Sequence, residues 1–377
     1  MSIAESTSRR TATLLLISLL SWAVASCSSG ESDSVRIGAV LALTGSGANY
    51  GKSLKQGIEL AVEEVNADGG IKGKKVVVVF EDSQGDAKTG ISAFNKLATV
   101  DKVPLVLGSI SSVVLALAPI ADERRIVLVN TSAISPKICE RADKYLFSLM
   151  VDGAAEAEFM AAEISTKYRG QPVAVLFSNN ASGIDTKDVF VRQFSRVGGV
   201  MSAIEGYELG AQDFRTQLAK IKRSGAKLVY LIAFSSQEFA NVLIQAKELA
   251  LDVQWFSYSG FETKETLELA GNAAEGVLYS YPQYDPRNVA FSNFQEKYLR
   301  SYGSWADIYT VTSYDAIKLL TEVIQRNGTE PSAIRNGLKE TTGYQGIFGA
   351  AQWRDVQCLA RSLMRKQVRQ GKFVPLQ

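Results

Sequence analysis

Short, nearly unbroken runs of aliphatic residues recur along the chain: Val35–Leu41, Val76–Phe80, Val103–Leu107, Ile126–Val129, Val173–Phe177 and Leu228–Phe234. A strand with one wet face alternates apolar and polar residues, and these runs do not. They suit strands buried on both faces of a parallel sheet. Parallel neighbours need long crossovers, and the intervening sequence supplies amphipathic helices for them. Leu54, Ile58, Ala61 and Val65 form one apolar stripe, with Asp68-Gly69-Gly70 as its stop. Phe190, Phe194 and Val197 form a second, and Phe214, Leu218 and Ile221 a third. Phe239, Leu243, Ala246 and Ala250 form a fourth, and Ile317, Leu320 and Ile324 lie in a long helix near the end. Strand–helix alternation of this kind predicts an α/β fold with doubly wound, Rossmann-like sheets. At 377 residues, two such lobes are expected rather than one very wide sheet. Breaks are predicted near Ser148–Asp152 and Tyr279–Tyr284.

Composition removes several function classes. Lys+Arg 41 against Asp+Glu 39 leaves a net charge of +2, with no basic excess to hold nucleic acid. There is no histidine, which excludes His-based triads and His metal ligands. The 3 cysteines include no CxxC pair, so no metal or cofactor is expected. A hydrolase built on Ser111 or Ser112 would need Lys52 or Lys137 as its base, and neither lysine sits in a recognisable motif. Gly51-Lys52-Ser53 follows a glycine-rich stretch, but neither Gly45 nor Gly47 has the spacing of a phosphate-binding loop.

The first residues read as a targeting segment. Arg9 and Arg10 precede the apolar run Ala12–Ala25, which is too short to span a bilayer at ~20 helical residues. The run ends Val24-Ala25-Ser26-Cys27, which resembles a bacterial lipobox. Residues 1–26 are then a signal peptide, Cys27 is the lipidated N-terminus, and 27–34 is a polar tether. The only membrane contact expected is this anchor, on an envelope protein facing the periplasm or exterior. Cys139 and Cys358 remain as thiols that an oxidising compartment would allow to pair.

Residues 35–84 carry an ordered set of motifs: Leu43-Thr44-Gly45, Tyr50-Gly51, Gly57, Asn66, Gly69-Gly70-Ile71-Lys72-Gly73 and Glu81-Asp82. The series continues through Gly108–Ser112 and Asn130–Pro136. In these the chain resembles the type I periplasmic solute-binding proteins of ABC transporters, in the branched-chain amino acid and amide (Leu/Ile/Val-binding protein-like) group. The resemblance implies a two-lobed protein that is not an enzyme and closes on a small polar solute for an ABC permease. Branched-chain amino acids are the default solute, with other amino acids, carboxylates or amides as relatives. The alternative on the same fold is an envelope sensor or regulatory protein without a transport role. The implied lobes are residues 35–149 plus 282–346, and 150–281 plus 347–377, joined by a three-strand hinge.

The resemblance also implies ligand positions. Ser111 and Ser112 open a helix after a strand, where a carboxylate meets free N–H groups. Ser132, Ala133 and Ile134 follow the next strand, with Ile134 where a Thr hydroxyl is expected. Tyr50 covers the ligand, Phe234 packs on it, and Ser182 stands in place of a further aromatic. Gly260 occupies the place of an acid that meets a ligand ammonium, so either Glu262 or Asp185 substitutes or the ligand has no ammonium.

Overall fold

The computed structural model describes residues 34–141, 144–354 and 357–376. The signal peptide, the tether and Cys27 therefore lie outside the described residues. Five strands come first: β1 (Ser34–Leu41), β2 (Lys75–Asp82), β3 (Leu105–Gly108), β4 (Val127–Asn130) and β5 (Leu146–Ser148). The chain then crosses to a second body through β6 (Pro172–Ser178), β7 (Val200–Tyr207), β8 (Leu228–Ile232), β9 (Gln254–Ser257) and β10 (Leu278–Pro282). Three helices follow, and then β11 (Tyr344–Gly346), β12 (Gly349–Arg354), β13 (Cys358–Ala360), β14 (Leu363–Arg369) and β15 (Lys372–Pro375).

These strands form two sheets, in the orders β11-β12-β13-β5-β4-β3-β1-β2 and β15-β14-β10-β9-β8-β6-β7. Strands β1 to β5 run parallel in the first sheet, and β6 to β10 in the second. The buried apolar runs form the parallel strands, because helices cover both faces and leave no room for polar side chains. Strand β7 escapes that signal. It is an edge strand with Val200 and Ile204 exposed, so its sequence does not read as buried. The antiparallel strands near the end are likewise short and partly polar.

One boundary needs correction. Residues 347–377 were expected in the second lobe, but β12 and β13 extend the first sheet, with β13 pairing beside β5. The third passage between lobes therefore lies between Ala360 and Leu363. A Cys139–Cys358 disulfide ties β13 to the short helix Lys137–Glu140 of the first lobe.

The long helix Ile308–Asn327 packs along Ala48–Ala67 on the first lobe. Gly57 permits this approach. A Cβ there would lie 2.3 Å from both Ser313 Oγ and the Thr310 carbonyl. In each sheet the strand order reverses once, between β1 and β3 and between β6 and β8. Such reversals open a crevice beyond the strand ends, where ligands collect in open α/β sheets.

Candidate functional site

The two crevices face each other. From the first sheet come the loops after β1 and β3, and from the second the loops after β6 and β8. Asn49 Nδ2 donates to Ser236 Oγ across the seam at 2.9 Å. The Tyr50 and Phe234 rings meet edge-on with centroids 6.2 Å apart, and Tyr50 also packs on Tyr309 at 4.6 Å. Ser135 Oγ donates to Asp185 at 2.6 Å, and Lys137 Nζ lies 2.7 Å from the other carboxylate oxygen. The Gly153 N–H donates to the Ile134 carbonyl at 2.7 Å. The lobes are thus held together by polar bonds at several points around one aromatic cluster.

The loop after β3 is strained where it enters the seam. Ile110, a β-branched residue, has φ 65 and ψ 127, and no side chain caps the helix Ser111–Arg124 that follows. Such a conformation costs about 1–3 kcal/mol and persists only where the surroundings enforce it. Here the Ile110 N–H donates to Ser132 Oγ, and Phe234 packs against the cluster that contains Ile110.

The expected ligand residues divide into two groups. Tyr50, Ser111, Ser132, Ala133, Ile134 and Phe234 gather at the seam. Asn130 knits their loop together, accepting from the Ser132 and Ala133 N–H groups and donating to the Ala133 carbonyl. The Ser111 hydroxyl accepts from the Ser135 N–H. The other four positions are Ser112, Ser182, Gly260 and Glu262. Ser112 is exposed, one step around the helix from buried Ser111. Ser182 donates to its neighbour Asn180, the N-cap of the helix Ala181–Arg196. The place of a Gly260 side chain is taken by the Tyr258 ring, 2.5 Å from where a Cβ would stand. Glu262 is no spare countercharge, because Lys366 Nζ and the Tyr279 hydroxyl each hold it at 2.6 Å. Asp185 is equally committed, to Ser135 and Lys137.

A cavity of about 720 Å³ opens between the lobes, lined by Asn49, Ser53, Gln56 and Asp307 from one side and by Thr263 and Glu265 from the other. Asn49, Ser53 and Gln56 share one helix face by their spacing. A volume of this size is within the ordinary range of small-molecule sites. Asp307 accepts from Ser53 Oγ and from Thr310, and burial pushes its carboxyl up.

Several groups at the seam were not legible in the sequence. Glu156, on the first turn of the helix Gly153–Lys167, is fully buried. It accepts from the Ser259 N–H, the Ser259 hydroxyl and the Ser280 hydroxyl, at 2.7, 2.7 and 2.6 Å. Burial pushes its carboxyl up to about 7, against those three bonds. Glu238 is buried too and is held by the Tyr207 hydroxyl and the N–H groups of Gly210 and Phe234. Burial, with Tyr258, Glu238, Glu265 and Asp307 nearby, holds the Tyr50 hydroxyl well above its ordinary range. The only sequence trace of Glu156 is an acid on a face otherwise made of Ala157, Met160, Ala161 and Ile164.

Asp185→Asn tests the seam. It removes the charge that holds Lys137 yet leaves an acceptor for Ser135. Lys137 is largely exposed, so solvent screens the pair and the closed arrangement is expected to weaken only slightly. Small-angle scattering should then show a larger open fraction, with an unchanged thermal midpoint. Identical scattering would remove Asp185 from closure.

Among the described residues, no group of three potential metal ligands clusters and no helix is long and apolar enough to cross a membrane. The sequence profile of the periplasmic binding protein family matches residues 34–366. The chain is 27% identical over 317 residues to a Leu/Ile/Val-binding protein homolog of Brucella suis, covering 84% of this chain and 85% of that one. Its fold is similar to the branched-chain amino acid transporter substrate-binding protein of Streptococcus pneumoniae solved with isoleucine, at TM-score 0.82 and 22% identity over 90% of this chain and 97% of that one. It is also similar to a Rhodopseudomonas palustris solute-binding protein solved with 3,4-dihydroxybenzoic acid, at TM-score 0.84 and 21% identity over 92% and 97%. With its two facing α/β lobes, the chain belongs to the periplasmic binding protein family of extracytoplasmic solute-binding proteins, and not to an enzyme family.

Proposed function

We propose that this protein is the solute-binding component of an ABC importer, anchored to the membrane through lipid on Cys27. It captures a small polar solute between its lobes, in the class of amino acids and related carboxylates or amides. The observation that carries this reading is the meeting of the two switch-point crevices. Asn49 and Ser236, Tyr50 and Phe234, and Ser135 and Asp185 join the lobes beside a cavity that both lobes line. A hinged pair of lobes couples solute capture to the shape a permease reads, because the two outer surfaces present together only when closed. The relatives named above are described with isoleucine and with an aromatic acid, so solutes of both kinds belong in the search.

Isothermal titration of the mature chain, stripped of bound solute, tests the reading against a panel of amino acids, amides and small acids. A micromolar Kd, or about −8 kcal/mol, is expected for at least one member, with a contraction in small-angle scattering. No heat and no contraction with any of them would count decisively against it. Mass spectrometry of the protein made with its leader reports on the anchor, which requires a diacylglyceryl mass on Cys27 that is lost in Cys27→Ala.

A further inference from the structure

Resting on that reading, we propose that the solute is a carboxylate without an ammonium group: a 2-oxo, 2-hydroxy or aromatic acid with an apolar body. An ammonium drawn out of water needs an acidic partner that is free to meet it. Every buried or half-buried acid described at the seam already has partners. Glu262 has Lys366 and Tyr279, and Asp185 has Lys137 and Ser135. Glu156 has Ser259 and Ser280, Glu238 has Tyr207, Gly210 and Phe234, and Asp307 has Ser53 and Thr310. The space beside Gly260 holds the Tyr258 ring, whose hydroxyl donates to the Ala233 carbonyl. Glu265 lines the cavity, but it is exposed, where water screens what a carboxylate offers.

Hydroxyls show the opposite balance. The Tyr50 hydroxyl, at the seam, is buried and has no hydrogen-bond partner. Buried polar groups are normally satisfied, and an orphan calls for an explanation. This hydroxyl can donate to a carboxylate or carbonyl oxygen. Tyr50 also presents its ring, with Phe234 and Tyr309, to an apolar body. The seam thus offers the Tyr50 hydroxyl and apolar rings, and its buried acids are already hydrogen-bonded or ion-paired.

Matched pairs that differ at the amino group test this: leucine against 4-methyl-2-oxopentanoate, and phenylalanine against 3-phenylpropanoate. Titrated into the stripped mature chain, the acid lacking the amine is expected to bind at least ten-fold more tightly in one pair or both. An amino acid that binds as tightly or more tightly would overturn the proposal and leave the solute-binding reading standing. Silence from both pairs and from every amide and amino acid would remove the reading itself, and the proposal with it. Tyr50→Phe deletes only an unpartnered hydroxyl, so the thermal midpoint should hold while affinity for the preferred acid falls about ten-fold. Unchanged affinity in that variant would also tell against the proposal.

Discussion

Replacing Cys139 and Cys358 by serine is expected to lower the unfolding free energy by about 2–5 kcal/mol. The bond joins residues 219 apart, so it closes a very long loop and removes much freedom from the unfolded chain. It also pins β13, which sits beside β5 and leads directly into the third passage between lobes. Urea unfolding of the double variant should show a lower midpoint. Hydrogen exchange should speed up first at Gln357–Ala360, while β3 and β4 keep their protection. An unchanged midpoint would mean that the bridge adds nothing to the fold. The same bond requires an oxidising compartment, in keeping with an extracytoplasmic protein.

Glu156→Gln is expected to flatten the pH dependence of stability. Burial raises this carboxyl from its ordinary 4.5 to about 7 in the folded chain. Between those values the folded protein holds a proton that the unfolded protein has released. Stability from this group is therefore complete below about pH 4.5, declines as pH rises towards 7 and levels off above it. The span amounts to about 3 kcal/mol. Glutamine mimics the protonated acid: its oxygen can accept from the Ser259 N–H and the Ser280 hydroxyl, while its amide donates to the Ser259 hydroxyl. The variant should match the parent at pH 5 and exceed it at pH 8. Parallel stability curves for the two proteins would refute the assignment. Asp152, Tyr230, Tyr258 and Tyr309 lie close enough to Glu156 to be coupled to its charge, so the titration is felt at the seam.

Much of the architecture is legible in the chain itself. A run such as Val103–Leu107 suits a strand covered on both faces, and alternation with striped helices then points to parallel sheets. Length forces the division into two lobes. The resemblance to the solute-binding family, rather than periodicity, is what pointed to Tyr50, Ser111, Ser132 and Phe234. Features without that periodicity were missed. Edge strand β7 and strands β11 to β15 are half exposed or short, and no apolar run announces them.

What only the tertiary structure decided is which partner each charge meets. Glu262 and Asp185 look alike in sequence as spare acids, yet Lys366, 104 residues on, holds one, and Lys137, across the seam, holds the other. Glu156 is one acid among many until Ser259 and Ser280 fold over it. Periodicity is local and is written in neighbouring residues, so the sequence by itself determined the sheets, the lobes and the loops between them. Electrostatic pairing joins residues far apart in the chain, so the chemistry of the cleft emerges only when the lobes close.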